Sequence, residues 1–120
     1  MSERRVAIVA PLRTPVGCFL GALQSLPAET LAATVIREVV ARSGVDPQRI
    51  EDVVFAQSYA NSEAPCIGRW AALAADLPIE VPGFQVDRRC GGGGPHLRVF
   101  VMERCCQRSC RQASVFAQAA

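Results

Sequence analysis

The sequence predicts an α/β domain built on a mixed, largely parallel sheet. Three observations carry that expectation. Short β-branched or aromatic runs alternate with stretches of helical periodicity, in the order strand, helix, strand, helix, strand. The first run is apolar without polar alternation, the pattern of a strand covered on both faces, and successive strands joined through a helix run parallel. Hydrophobic residues make up 50% of the 120-residue chain, enough to furnish the core of one ordinary domain.

The elements follow in order. Arg5-Val6-Ala7-Ile8-Val9-Ala10 reads as the first strand, closed by Pro11. Pro11 to Gly17 is an irregular loop, because two prolines and a glycine break either regular period. Pro27 fits the first turn of a helix in which Leu31, Val35, Ile36, Val39 and Val40 recur at helical spacing until Ser43-Gly44 ends it. Asp46-Pro47 restarts a single turn through a side-chain cap and a preset φ, and Asp52-Val53-Val54-Phe55-Ala56 is the next strand. The alanine-rich stretch from Ile67 to Ala75, with Trp70 and Leu73, is a second helix that closes before Pro78. Pro78 and Pro82 bracket an extended linker, and Gly83-Phe84-Gln85-Val86 is a third strand.

Composition narrows the function classes. A net charge of +2, from 13 basic and 11 acidic residues, is too near balance to argue for nucleic acid or an anionic membrane surface. Every basic residue is arginine, which reads as coding bias rather than chemistry. The apolar stretch after Met1-Ser2-Glu3-Arg4-Arg5 is cut short by Pro11, so it does not read as a secretory signal, and no run is long enough to span a bilayer. The expectation is a soluble cytoplasmic protein whose six cysteines (Cys18, Cys66, Cys90, Cys105, Cys106 and Cys110) are reduced thiols rather than a disulfide framework.

Cys90 is the candidate catalytic residue. It stands between the third strand and the run Gly91-Gly92-Gly93-Gly94, a layout that suits a nucleophile at a strand-to-helix turn. The positive end of a helix dipole, with Arg88 and Arg89 beside it, favours the thiolate, and flanking glycines let an acyl group and backbone N–H donors approach the sulfur. A buried, inert cysteine beside a flexible loop is the other reading of the same residues.

Four motifs, in order, resemble the N-terminal part of the thiolases, the family of acetyl-CoA acetyltransferases and 3-ketoacyl-CoA thiolases. Arg13-Thr14-Pro15-Val16-Gly17 is similar to the family's R-T-P-x-G loop, and Ala41 to Pro47 to its helix end and turn before the second strand. Ser62 to Ala72 resembles the helix before the nucleophile strand in one acetyltransferase branch. Asp87-Arg88-Arg89-Cys90-Gly91-Gly92-Gly93 stands in the place of the nucleophile motif, usually N-R-x-C-G-S-G. Each motif alone is weak; their order and spacing are specific.

The resemblance implies a layered α/β thiolase fold and an acyltransferase of fatty-acid metabolism with Cys90 as the acyl-accepting nucleophile. Acyl-CoA and acetyl-CoA would be its substrates, with no separate cofactor and no metal. Family members are commonly homo-oligomers, dimers or tetramers. Gly92 replaces the usual serine, and Asp87 and Arg89 differ from the most familiar pattern. An acid near a thiol raises its pKa, so Asp87 is the departure of most consequence. Cys18 sits where the family commonly has lysine and is read as a substitution, not a second catalytic thiol.

The resemblance covers residues 1–94 as a partial N-terminal domain and leaves 95–120 as an atypical arginine- and cysteine-rich tail. The family's activating histidine and second cysteine belong to its C-terminal half. The one histidine here, His96, has proline before it, whereas the family's motif has glycine before and proline after, so it is not read as the missing base. The expectation is a chain inactive by itself. The abrupt composition change near Gly93 is what a reading-frame shift in a G+C-rich gene would produce. Three other readings are weaker. A metal- or redox-responsive module of Cys90, His96, Cys105, Cys106 and Cys110 lacks any C-x-x-C pair. A ketoacyl-synthase-like condensing enzyme is disfavoured by the R-T-P-V-G loop. Nucleic-acid binding through Arg98, Arg104, Arg108 and Arg111 lacks interleaved aromatics.

Overall fold

The structure is a computed structural model that describes residues 9–87, Arg89 and the backbone of 113–117. Helix α1 (Ala28–Ser43) comes first, then a single 3₁₀ turn (Pro47–Arg49), strand β1 (Ile50–Ala56), helix α2 (Ile67–Ala74), strand β2 (Gly83–Val86) and strand β3 (Ala113–Ala117). The strands lie in the order β2-β1-β3, and both pairings are parallel.

Local chemistry sets the bounds of α1. Pro27 precedes the helix as its cap, not within the first turn as its fixed φ suggests, and its carbonyl accepts from the N–H groups of Thr30 and Leu31. Glu29 in the first turn and Arg42 in the last match the helix dipole. Gly44 ends the helix at φ 65°, a left-handed conformation that glycine adopts without steric cost. One face, Ala32, Ala33, Val35, Ile36 and Val39, is buried. Asp46 then caps the 3₁₀ turn as its side chain accepts from the Gln48 N–H at 3.0 Å, as Asp46-Pro47 predicts.

Strand β1 starts at Ile50, two residues before the run that sequence alone marks as strand. Val53, Val54 and Phe55 are consecutive and all buried, so both faces of the strand are covered. Val53 and Phe55 belong to a core with Ile36, Val39, Ile67, Ala71, Ala72 and Val81. Full burial of side chains such as Ile36 or Phe55 stabilises the fold by about 1.5–3 kcal/mol each.

Helix α2 crosses from β1 to β2 and lies unusually close to both. A methyl group on Gly68 would come within 2.5 Å of the Phe84 carbonyl oxygen and 2.8 Å of that of Val53. At its C-terminus the N–H of Asp76 reaches the Leu73 carbonyl and that of Leu77 reaches Ala72, with Asp76 at φ 60°. This is a Schellman-type end with aspartate where glycine is usual. Arg37 of α1 reaches the same end, donating to the Ala74 carbonyl and pairing with Asp76 at 3.7 Å, so it ties the two helices together. Arg69 turns the other way and donates to the carbonyls of Val81 and Ile79, which orders the linker between Pro78 and Pro82.

Most of the expected strand over Arg5 to Ala10 lies outside the described residues. Val9 and Ala10 are described and are irregular, with Ala10 at φ 49°. Strand β3, by contrast, is an element that periodicity did not mark. It pairs with β1 from Ile50↔Ala113 to Phe55↔Ala117, with an irregularity in register between Ile50 and Asp52. Among the described residues no helix is long and apolar enough to cross a membrane.

Candidate functional site

Because β1 and β2 are parallel, both end on the same side of the sheet. The chain after β1 (Gln57-Ser58-Tyr59) therefore meets the chain after β2 (Asp87 to Arg89). In open parallel sheets the carboxyl ends of the strands are where ligand-handling residues collect. The ladder runs one step past β1, with the Gln57 N–H donating to the Val86 carbonyl at 3.1 Å.

Beyond that rung the two segments are joined through Arg89. Ser58 Oγ donates to the Arg89 carbonyl at 2.9 Å, and the Arg89 guanidinium donates back to the Ser58 carbonyl. The guanidinium also pairs with Asp87 at 3.2 Å and lies over the Tyr59 ring, 4.7 Å from its centroid. The Arg89 N–H donates to the other Asp87 carboxylate oxygen at 3.3 Å. Arg89 has a φ of 47°, which few side chains adopt without compensation.

Cys90 follows Arg89 in the chain and lies outside the described residues, as do Arg88, His96, Cys105, Cys106 and Cys110. Cys18 and Cys66 are described, and both are exposed free thiols. Cys66 belongs to the other end of β2: it sits at φ 66° before α2 and its Sγ donates to the Gly83 carbonyl at 3.2 Å. The α2 N-terminus there is capped from β2, with the Ile67 N–H donating to Gln85 Oε1 at 3.2 Å. Among the described residues no group of three or more His, Cys, Asp or Glu is placed to hold a metal ion.

Sequence reading had not marked Ser58 and Tyr59. Nothing in their local spacing singles them out, since they come to Arg89 only through the register that aligns Ala56 with Val86. A groove of about 540 Å³ lies elsewhere, lined by Gln48, Ile50, Glu51, Pro78, Glu80 and Val81, at the amino ends of β1 and β2. Its two carboxylates and its position set it apart from the turn that leads to Cys90.

The family model described as the thiolase N-terminal domain matches residues 6–105. A "Probable acetyl-CoA acyltransferase" of Staphylococcus aureus strain NCTC 8325 is 36% identical over 89 residues, covering 74% of this chain and 23% of its own length. An acetyl-CoA acetyltransferase of Pseudomonas aeruginosa is 38% identical over 88 residues, covering 73% of this chain and 22% of its own. The crystal structure of the Bacillus anthracis acetyl-CoA acetyltransferase superposes with a TM-score of 0.71 at 32% identity, over 75% of this chain and 23% of that one. The chain thus spans less than a quarter of the length of these relatives.

Proposed function

Since the chain belongs to the thiolase family through its N-terminal domain, we propose that it carries the acyl-accepting half of that chemistry, with Cys90 as the nucleophile. The Cys90 thiolate attacks the thioester carbonyl of an acyl-CoA. The tetrahedral oxyanion collapses, the bond to the CoA sulfur breaks, CoA leaves as its thiolate, and the acyl group remains on Cys90 as a new thioester. In the whole protein, acetyl-CoA deprotonated at its methyl carbon then attacks that thioester. A carbon–carbon bond forms, the Cys90 thiolate is released, and the product is a 3-ketoacyl-CoA. Thiolytic cleavage is the reverse.

One observation carries this reading: the range matched by the family model, 6–105, takes in Asp87-Arg88-Arg89-Cys90-Gly91, directly after the strand whose end meets the Ser58-Tyr59 loop. The 120 residues by themselves do not complete a turnover on this reading. Activating the nucleophile takes the histidine, and moving the substrate α-proton the second cysteine, that the family places downstream, and His96 lacks the motif context of that histidine. The whole protein is read as a cytoplasmic homo-oligomer, a dimer or tetramer, as the family implies.

The test is incubation of the chain with excess acetyl-CoA, at a pH high enough to ionise a thiol that has no partner base, followed by peptide mass spectrometry. The expected result is an acetyl thioester on Cys90, removed by hydroxylamine and absent from Cys90→Ala. Equal acetylation of every cysteine, or none on Cys90, refutes the assignment.

A further inference from the structure

Of the two residues that flank Arg88, Asp87 departs from the family's usual nucleophile motif and Arg89 fills its variable position, and in the structure they are partners. Asp87 alone would put a carboxylate three positions before the thiol, where negative charge opposes a thiolate. Arg89 answers that carboxylate twice, with its guanidinium on one oxygen at 3.2 Å and its own N–H on the other at 3.3 Å. The same guanidinium and the Arg89 carbonyl grip Ser58 from both sides, and Tyr59 receives the cation on its ring face.

We infer that Arg89 is a positioning residue for Cys90: paired with Asp87, it fastens the turn after β2 to the loop after β1 and supplies the positive charge that offsets the Asp87 carboxylate. This deepens the reading of Cys90 as the nucleophile and rests on it. The contacts account for the left-handed φ of Arg89, since the carbonyl and guanidinium of one residue serve Ser58 together. Arginine suits the role because a planar guanidinium can stack on Tyr59 while its fork donates in two directions, which an ammonium does not reproduce. Among the described residues the titratable groups in contact with Arg89 are Asp87, on its own turn, and the Tyr59 phenol, from the loop after β1.

The experiment is carbamidomethylation of the full 120-residue chain by iodoacetamide, with the rate at Cys90 resolved by peptide mass spectrometry across the pH range in which thiols titrate. Arg89→Leu is expected to move the midpoint of the Cys90 profile upward by about half a pH unit, the size set by an exposed ion pair. Arg89→Lys, which keeps the charge, holds the midpoint near that of the parent chain. Asp87→Asn combined with Arg89→Leu returns it there, because the carboxylate to be offset is gone. Asp87→Asn alone, nearly isosteric, moves it downward and serves if Arg89→Leu does not fold. A midpoint unmoved in Arg89→Leu or in Asp87→Asn, with only the plateau rate altered, marks a purely structural role and overturns the inference. Acetyl-CoA labelling separates the two claims. Absent acetylation with shifted midpoints defeats the nucleophile reading alone, whereas acetylation with coincident midpoints defeats the pair alone.

Discussion

Gly68 in the first turn of α2 and Gly83 at the start of β2 lie backbone against backbone, and neither has room for a side chain. A methyl group on Gly83 would stand 2.7 Å from the Gly68 carbonyl carbon and 2.7 Å from the Arg69 nitrogen. This close approach brings the crossover helix down onto the β1–β2 pair. It also sets the Cys66 Sγ and the Gln85 amide against the backbone of the facing element.

Gly68→Ala should therefore destabilise the fold. The obstructing atoms are carbonyl oxygens of two strands, which cannot swing aside as a side chain would, so α2 has to lift. Overpacking of this kind costs about 1–3 kcal/mol. A urea titration followed by circular dichroism checks it; a midpoint equal to that of the parent chain would mean that the helix does not sit so close.

Gly44→Ala separates backbone strain from packing. An added methyl at Gly44 meets nothing within 4 Å, yet φ there is 65°. The loss should be about 1 kcal/mol, from conformation alone. Gly44→Asn should lose less, because asparagine tolerates the left-handed region better. Thermal melts of the two variants give the comparison.

Arg69→Met should loosen the linker while leaving the helix face filled. It removes the donors to Val81 and Ile79, and methionine retains much of the aliphatic stem. The expected result is faster amide exchange across 78–82 and a stability loss of about 1–2 kcal/mol. Hydrogen exchange by mass spectrometry reports both, and unchanged protection of the Val81 N–H would refute the role.

The tail calls for a test on the gene. If residues from about Gly93 onward are out of frame, translation of the other two frames should restore a small-residue helix followed by an apolar strand. Failure of both frames to do so discards the frameshift. Joined to that restored continuation, Cys90 should support full thiolase turnover, measured as sustained CoA release with acetyl-CoA; the 120 residues alone should stop at the single equivalent that accompanies acetylation of Cys90.

The ends of α1 and α2 and the start of β2 were legible in the sequence, to within a residue, because each meets a local signal. Gly44 stops one helix, the turn before Pro78 closes the next, and Pro82 precedes the strand. Strand β3 was not legible, because Ala113-Ser114-Val115-Phe116-Ala117 carries only a short apolar stretch whose strand character comes from the edge of β1. Asp87 was visible as a departure from a motif and Arg89 as its neighbour at a variable position, but their pairing was not.

By itself the sequence determined the α/β class, the placement of Cys90 after a strand and the family to which those motifs belong, since all three rest on short-range pattern and motif order. The tertiary structure alone decided that Ser58 and Tyr59 stand beside Arg89. The contact spans 31 positions in sequence and exists because parallel pairing of β1 with β2 brings their carboxyl ends to the same end of the sheet.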